Sequence, residues 1–333
     1  MFGLSWRLLR ECAAVAQGLR IKIYDDWQPE LDDVLENLPE EDIFPHELFR
    51  LLMKLPNPRR KQIILVTERG EPLALAGARN RWGNWEPVTR GIVPGVLFPV
   101  KEGCLSRVLP ALGLHLDVQW YRWPEPPPMA RWMRQVESFP TCGMRCSEDF
   151  EAHWRKSNLW RDIKRPRNRC RGFELKVNAT NSIELIIKGW DQKWRGSQGG
   201  EQSQDITEQI VATEYLQKRG LYYSLSLLDR DEPVAGITFM IHRNEAVAHL
   251  TYRNPKYDWH GGLTRLWEMF FWWARDMGFD GISLGYIRPM PHYDYKKRWA
   301  PERGQYIEFT VCPDIVRVAD RVSRLTGTVR RDW

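Results

Sequence analysis

Long apolar runs are missing from this 333-residue chain. No stretch reaches the roughly 18 consecutive apolar residues that a membrane-crossing helix needs. No cleavable leader is expected either, since Met1 to Arg20 carries Arg7, Arg10 and Glu11 inside its apolar pattern and has no h-region or small-residue cleavage site. Both absences lead to the expectation of a soluble, cytoplasmic protein. Cysteine is sparse: Cys12, Cys104, Cys142, Cys146, Cys170 and Cys312 are scattered rather than spaced as a framework, so reduced thiols are expected. Cys142 and Cys146 form a lone CxxxC with His153 nearby, but the second ligand pair of a zinc finger is lacking, and no metal is expected.

Hydrophobic residues make up 43% of the chain, enough for a real core, and the length suits two domains or two lobes. The net charge of +6 favours anionic partners such as phosphates, nucleic acid or acidic lipid without choosing among them. Tryptophan is abundant, with 17 copies, many beside a basic residue, as in Trp6-Arg7, Arg81-Trp82, Arg131-Trp132, Trp194-Arg195 and Arg298-Trp299. Core packing, with the basic stems lying along the rings, accounts for most of them.

One local plan occurs twice. Ile63 to Val66, a charged turn and Leu73 to Ala78 match Leu225 to Leu228, a charged turn and Val234 to Phe239; Glu232-Pro233-Val234-Ala235 stands 161 positions after Glu71-Pro72-Leu73-Ala74. Each reads as strand, turn, strand. A strand, a glycine-bearing loop, a helix closing on glycine (Gly113 or Gly278) and a last strand follow in both halves. Pro124-Glu125-Pro126-Pro127-Pro128 forms neither helix nor central strand and ends the first lobe. The expected division is 1–140 and 141–333.

Trp160 to Arg171 carries Arg161, Lys164, Arg165, Arg167, Arg169 and Arg171 around Pro166, without a clean helical stripe. Such a run is a solvated face or an electropositive wall for a phosphorylated ligand or RNA. Gly189 to Gly200, with Trp190, Trp194, Arg195 and several Gly and Ser, reads as a mobile ligand-touching loop, and Asp205 to Arg219 as a helix.

Tyr222 to Trp299 carries the most functional information. It contains the second hairpin, a strand ending at Thr251-Tyr252, the loop Tyr257-Asp258-Trp259-His260-Gly261-Gly262, an aromatic helix to Met277, the strand Gly281 to Tyr286 and Tyr293 to Trp299. A glycine loop leading into a helix N-terminus suits phosphate. The helix is apolar on most of its circumference, with Arg265, Glu268 and Arg275 expected on its wet side.

Trp194-Arg195-Gly196, the Glu232 to Gly236 hairpin, Tyr257 to Gly262, Arg275 to Phe279 and Tyr295-Lys296-Lys297-Arg298-Trp299 resemble the CelD-type branch of the GNAT acyltransferases, related to the FemAB peptidyltransferases. The likeness is best over about 150 to 310. It implies an α/β (α+β) fold of two GNAT-like lobes, each a mixed, mostly antiparallel sheet flanked by helices, the C-terminal one catalytic. It further implies an acyl-CoA co-substrate, acetyl-CoA first among them, and an amine acceptor such as a cell-envelope or exopolysaccharide precursor.

By the same resemblance, the strand through Leu250, Thr251 and Tyr252 splays from its neighbour and holds the pantetheine arm and the oxyanion. Trp259, His260, Gly261, Gly262 and Leu263 hold the pyrophosphate, although the usual loop has a basic residue and two separated glycines. Acyl transfer also needs a proton for the leaving thiolate and a neutral nucleophile. Tyr295 is the candidate acid, with Tyr293 as its competitor and a pKa drawn down by Lys296. His260, Asp294 and Asp258 are candidate bases, histidine being the residue type with the most suitable unperturbed pKa. Trp194, Arg195, Arg165 and Arg298 are candidate acceptor contacts. His249 reads as a satisfied core histidine and Trp299 as packing. Two alternatives stand beside this reading: a FemAB-like transferase using aminoacyl-tRNA, and a non-catalytic GNAT-fold factor in polysaccharide production.

Overall fold

The computed structural model describes residues 10–11, 14–15, 18–40, 44–56, 60–81, 84–88, 98–112, 115–120, 133–198, 206–286 and 294–311. The loop 91–97, Gly113, the proline-rich segment 124–128 and Tyr293 lie outside them. The chain forms two compact units, Phe139–Tyr306 and the remainder, Met1–Ser138 with Ile307–Trp333.

The first unit contains β1 (Arg20–Tyr24), α1 (Glu30–Glu36), α2 (His46–Lys54), β2 (Lys61–Glu68), β3 (Glu71–Arg81), β4 (Asn84–Pro87), α3 (Leu105–Leu112) and β5 (His115–Trp120). Strands β1-β2-β3-β4 form a sheet whose described pairs are all antiparallel. The period-2 alternation sends Ile64, Val66, Ala76 and Ala78 to one face, where they bury against Val108, Leu109 and Leu112 of α3. Lys61 Nζ closes the C-terminus of α2 by donating to the carbonyls of Leu52 (2.6 Å) and Leu55 (2.8 Å).

The second unit takes in part of β6 (Met133–Arg145), then α4 (Phe150–Lys156), α5 (Leu159–Arg169), β7 (Glu174–Val177), α6 (Ser182–Gln198), α7 (Ile206–Lys218), β8 (Tyr222–Asp229), β9 (Glu232–His242) and β10 (Glu245–Arg253). A 3-10 turn (Pro255–His260), α8 (Gly262–Asp276), β11 (Gly281–Tyr286), α9 (Asp294–Trp299) and the start of β12 (Glu302–Val311) follow. Within this unit the strand order is β12-β6-β11-β10-β9-β8-β7, with β10 and β11 parallel and the pairs β6/β11, β9/β10, β8/β9 and β7/β8 antiparallel. The expected α/β class, with mostly antiparallel sheets flanked by helices, is the one observed. Leu266, Phe270, Phe271 and Ala274 of α8 bury against Leu225, Ile237 and Phe239. On the other face α6 lies close: a Cβ at Gly236 would meet Ile186 Cγ1 at 2.5 Å, and one at Gly189 would overlap the Tyr252 ring.

The two hairpins match in backbone detail. Arg69 and Gly70 have φ of 51° and 90°, and Arg230 and Asp231 have 48° and 70°, so both turns place two left-handed residues between the strands. Pairing passes from Val66↔Ala74 to Thr67↔Pro72 in one and from Leu227↔Ala235 to Leu228↔Pro233 in the other. The extra residue is therefore Leu73 in the first hairpin and Val234 in the second, again 161 positions apart.

Three expectations are overturned. Gly189 to Gln198 is helix, not loop, because Gly189 serves the close approach of α6 to Tyr252. Trp160 to Arg169 does carry a helical stripe: Leu159, Ile163, Pro166 and Cys170 are buried, while Arg161, Lys164 and Arg165 stay exposed. Glu268 is not on a wet side. It is 1% exposed and ion-paired with Arg167 and with Arg265, the latter at 2.6 Å.

Candidate functional site

Strands β10 and β11 pair only from Glu245↔Gly281 to Val247↔Ser283. Beyond that, each carries an irregularity. On β10, Thr238 of β9 stands opposite both His249 and Leu250; on β11, the pairing to β6 slips at Leu284, and Gly285 adopts φ 74°. A bulge bends its strand and strengthens the local twist, so bulges on both strands open a cleft between them.

The β10 bulge is held by a buried polar group of three side chains. Thr238 Oγ1 accepts the Leu250 N–H at 3.2 Å and the Tyr222 hydroxyl at 2.8 Å, and Tyr222 Oη lies 2.9 Å from His249 Nδ1. Thr238 and Tyr222 are fully buried, and burial raises the Tyr222 pKa, so its phenol stays a proton donor. This network corrects one expectation, because the Leu250 N–H already has its acceptor and is not an oxyanion donor. The reading of His249 as hydrogen-bonded holds, but its ring is half-buried rather than core. Asn254 donates its N–H to Val234 O on the β9 side, so strand alternation turns the amides of Thr251 and Arg253 towards the cleft.

The loop then presents the N-terminus of α8. Gly261 is left-handed (φ 71°), and a Cβ there would stand 2.6 Å from Pro166 Cγ; a Cβ on Gly262 would overlap Val234 Cγ1, the bulge residue of the hairpin. Among the described residues no side chain caps the helix, and its first turn holds no acidic residue. Three amides at Gly262, Leu263 and Thr264 precede the first intrahelical donor, Arg265, whose N–H bonds Gly261 O at 3.0 Å. Tyr257 anchors the loop from below, donating to Asp229 Oδ2 (3.1 Å) and Glu232 Oε2 (2.9 Å) at the hairpin turn. The His260 ring packs against Phe173 and Tyr257, and its Nδ1 is buried with no hydrogen-bond partner among the described residues. Trp259 projects outwards, 70% exposed.

Tyr295 meets this end of α8: its hydroxyl is 3.5 Å from Thr264 Oγ1, and its ring packs edge-on to Trp299. Its pKa is raised, chiefly by burial, with Thr264 and Trp299 opposing the shift more weakly. The expected lowering by Lys296 is thus reversed, and the phenol keeps its proton. Trp299 is packing, as expected: it is 1% exposed among Trp154, Trp267 and Phe271.

The other candidates are dispersed. Arg298 is committed to Asp162 (2.6 Å) and to the Asn158 carbonyl (3.1 Å), tying α9 to α5. Arg165 is exposed on α5, Lys296 is half-buried, and Asp258 lies 3.6 Å from Arg253. Trp194, Arg195 and Asp294 lie on α6 and α9, but their side chains are outside the described residues. Tyr222, Thr238 and Thr264 were missed by sequence reasoning, since only strand register and helix phase bring them to the cleft. Among the described residues no group of three or more His, Cys, Asp or Glu is placed to hold a metal, and no helix is long and apolar enough to cross a membrane.

No family model matches the sequence, and no curated protein does either. Solved structures of similar fold do exist. A conserved protein of unknown function from Bacteroides thetaiotaomicron superposes with a TM-score of 0.51 at 11% identity, covering 88% of this chain and 100% of the other. L-PGS from Bacillus licheniformis gives 0.47 at 17% identity (93% and 100% covered), and a tandem GNAT protein from the clavulanic acid pathway gives 0.48 at 10% (89% and 99%).

Proposed function

We propose that the second unit is a GNAT-type N-acyltransferase that moves an acyl group from an acyl-CoA thioester to an amine, with a cell-envelope or exopolysaccharide precursor as the acceptor class. The observation that carries this reading is the cleft between β10 and β11, opened by two bulges beside an uncapped helix N-terminus. A pantetheine arm extends along a strand edge, and the amides of Thr251 and Arg253, which face away from β9, suit its amide groups. The amides of Gly262, Leu263 and Thr264, with the positive end of the α8 dipole, suit a pyrophosphate.

The amine attacks the thioester carbonyl, the tetrahedral oxyanion takes its hydrogen bond from a strand amide, and the C–S bond breaks. Tyr295, kept protonated by its surroundings, gives its proton to the departing thiolate. His260 is the candidate base for the amine, since a neutral imidazole nitrogen can accept its proton. Acetyl-CoA at about one hundred times its Kd should stabilise the chain by about 2.7 kcal/mol in thermal unfolding. Failure of every acyl-CoA thioester to shift the transition overturns the reading.

A second reading, transfer from aminoacyl-tRNA, is favoured by the exposed stripe Arg161, Lys164 and Arg165 on α5. RNA binding that weakens steeply with salt, without any coenzyme A binding, would select it.

A further inference from the structure

Trp259 is the exposed aromatic of the loop before α8, and its surroundings are specific. Arg169, at the C-terminal end of α5, lays its guanidinium 3.5 Å from the indole centroid. The same group donates from Nη1 to the Trp259 carbonyl at 2.6 Å, so ring and cation are locked together. One face of the indole is thereby covered, yet the residue remains 70% exposed, which leaves the opposite face open to solvent. Burying that face would be favourable, and nothing else among the described residues does so.

The neighbours narrow the occupant. In the segment leading to Trp259, Arg253, Lys256 and Asp258 are exposed, so Trp259 is a single flat side chain in a charged stretch rather than part of an apolar face that would enter a membrane. Three residues further on, at Gly262, the amides of α8 begin. A ligand with a flat π-system joined to phosphate matches both features at that spacing.

We propose that Trp259, backed by Arg169, is the stacking platform for the adenine base of an adenosine phosphate whose phosphate reaches the N-terminus of α8. The proposal rests on the donor reading of that helix end and adds to it the residues that recognise the base. Two donors carry a terminal adenosine, coenzyme A and the CCA end of tRNA, and the platform suits either. Stacking is tolerant of sequence and worth enough to change affinity by about tenfold.

The full chain is titrated by calorimetry with coenzyme A, with 4′-phosphopantetheine, which lacks the adenosine, and with a CCA-ended RNA hairpin with and without its last adenosine. Wild-type protein should prefer the adenosine-bearing member of at least one pair. Trp259→Ala should weaken that member about tenfold and leave the base-free member unchanged, while Trp259→Phe restores most of the loss; an unchanged melting temperature confirms that the exposed substitution leaves the fold intact. Equal affinity of wild-type protein for coenzyme A and phosphopantetheine, with no preference within the RNA pair, overturns the platform but leaves the acyl-CoA reading standing. Preference only within the RNA pair keeps the platform and removes coenzyme A as donor. Loss of binding to anionic phosphatidylglycerol vesicles in Trp259→Ala, with adenosine ligands unaffected, also overturns the proposal and makes the indole a membrane contact.

Discussion

Gly261 and Gly262 are adjacent and act differently. Gly261 occupies a left-handed conformation against Pro166, whereas Gly262 lets the first turn of α8 close on Val234. Gly261→Ala should therefore lower unfolding stability by about 1–2 kcal/mol from backbone strain alone, with the Pro166 overlap adding to it, measured by denaturant titration. An unchanged midpoint would mean that α5 yields freely at Pro166. Tyr295 is the other decisive residue. Because burial raises its pKa, the phenol stays protonated through and beyond neutral pH, and the alkaline fall in turnover that comes from losing this proton should begin only above the ordinary tyrosine value near 10. Tyr295→Phe should lower kcat about 100-fold or more with donor affinity nearly unchanged. Equal losses in affinity and turnover would remove Tyr295 from the acid role.

At the scale of elements, β10 is the part that makes a cleft, and its bulge depends on one hydroxyl. Thr238→Val keeps the shape of the side chain but strands the Leu250 N–H in a buried site and leaves the Tyr222 hydroxyl with His249 alone. The expected cost is about 1–3 kcal/mol, with weaker binding of acyl-CoA, both measurable by thermal unfolding with and without ligand. Full stability with full affinity would show that the bulge holds itself. The hairpin and strand around this bulge were legible in the sequence, since period-2 alternation and a charged two-residue turn are local signals. The bulge was not, because it is set by cross-strand partners: Thr238 and Tyr222 look like ordinary strand residues. The same limit explains α6, where Gly189 and the Gly and Ser after it suggest a loop, although Gly189 is spent on contact with Tyr252. It explains Glu268 too, which reads as a solvent-facing charge until Arg167 arrives from another helix to pair with it. Local periodicity is visible in one segment; partners from distant segments are not.

At the scale of the whole molecule, the repeated hairpin was legible because its charged turn and its Glu-Pro pair recur at one offset, whereas the extra residue at Leu73 and Val234 shows only in the strand register. The thiols set a property that no single element owns. Cys142, Cys146 and Cys170 are buried, and desolvation pushes their pKa values up to about 12, 11 and 11. In the unfolded chain the same thiols ionise near 9. Below that pH both states hold these protons, and the thiols add no pH dependence. Between about 9 and 12 the unfolded chain has released protons that the folded one keeps, so stability must fall as pH rises through that window. Tyr257, whose pKa is also raised above its ordinary value, adds a loss of the same sign above about 10. Denaturant midpoints measured from pH 8 to 11 should decline, and a Cys142→Ala, Cys146→Ala, Cys170→Ala triple variant should decline less steeply. Maleimide should label these three thiols in the native chain far more slowly than after unfolding at pH 7.5, because both the thiolate fraction and access are reduced. A flat midpoint across that range, or rapid native labelling of Cys142, would show that the second unit opens around its core far more readily than its packing allows.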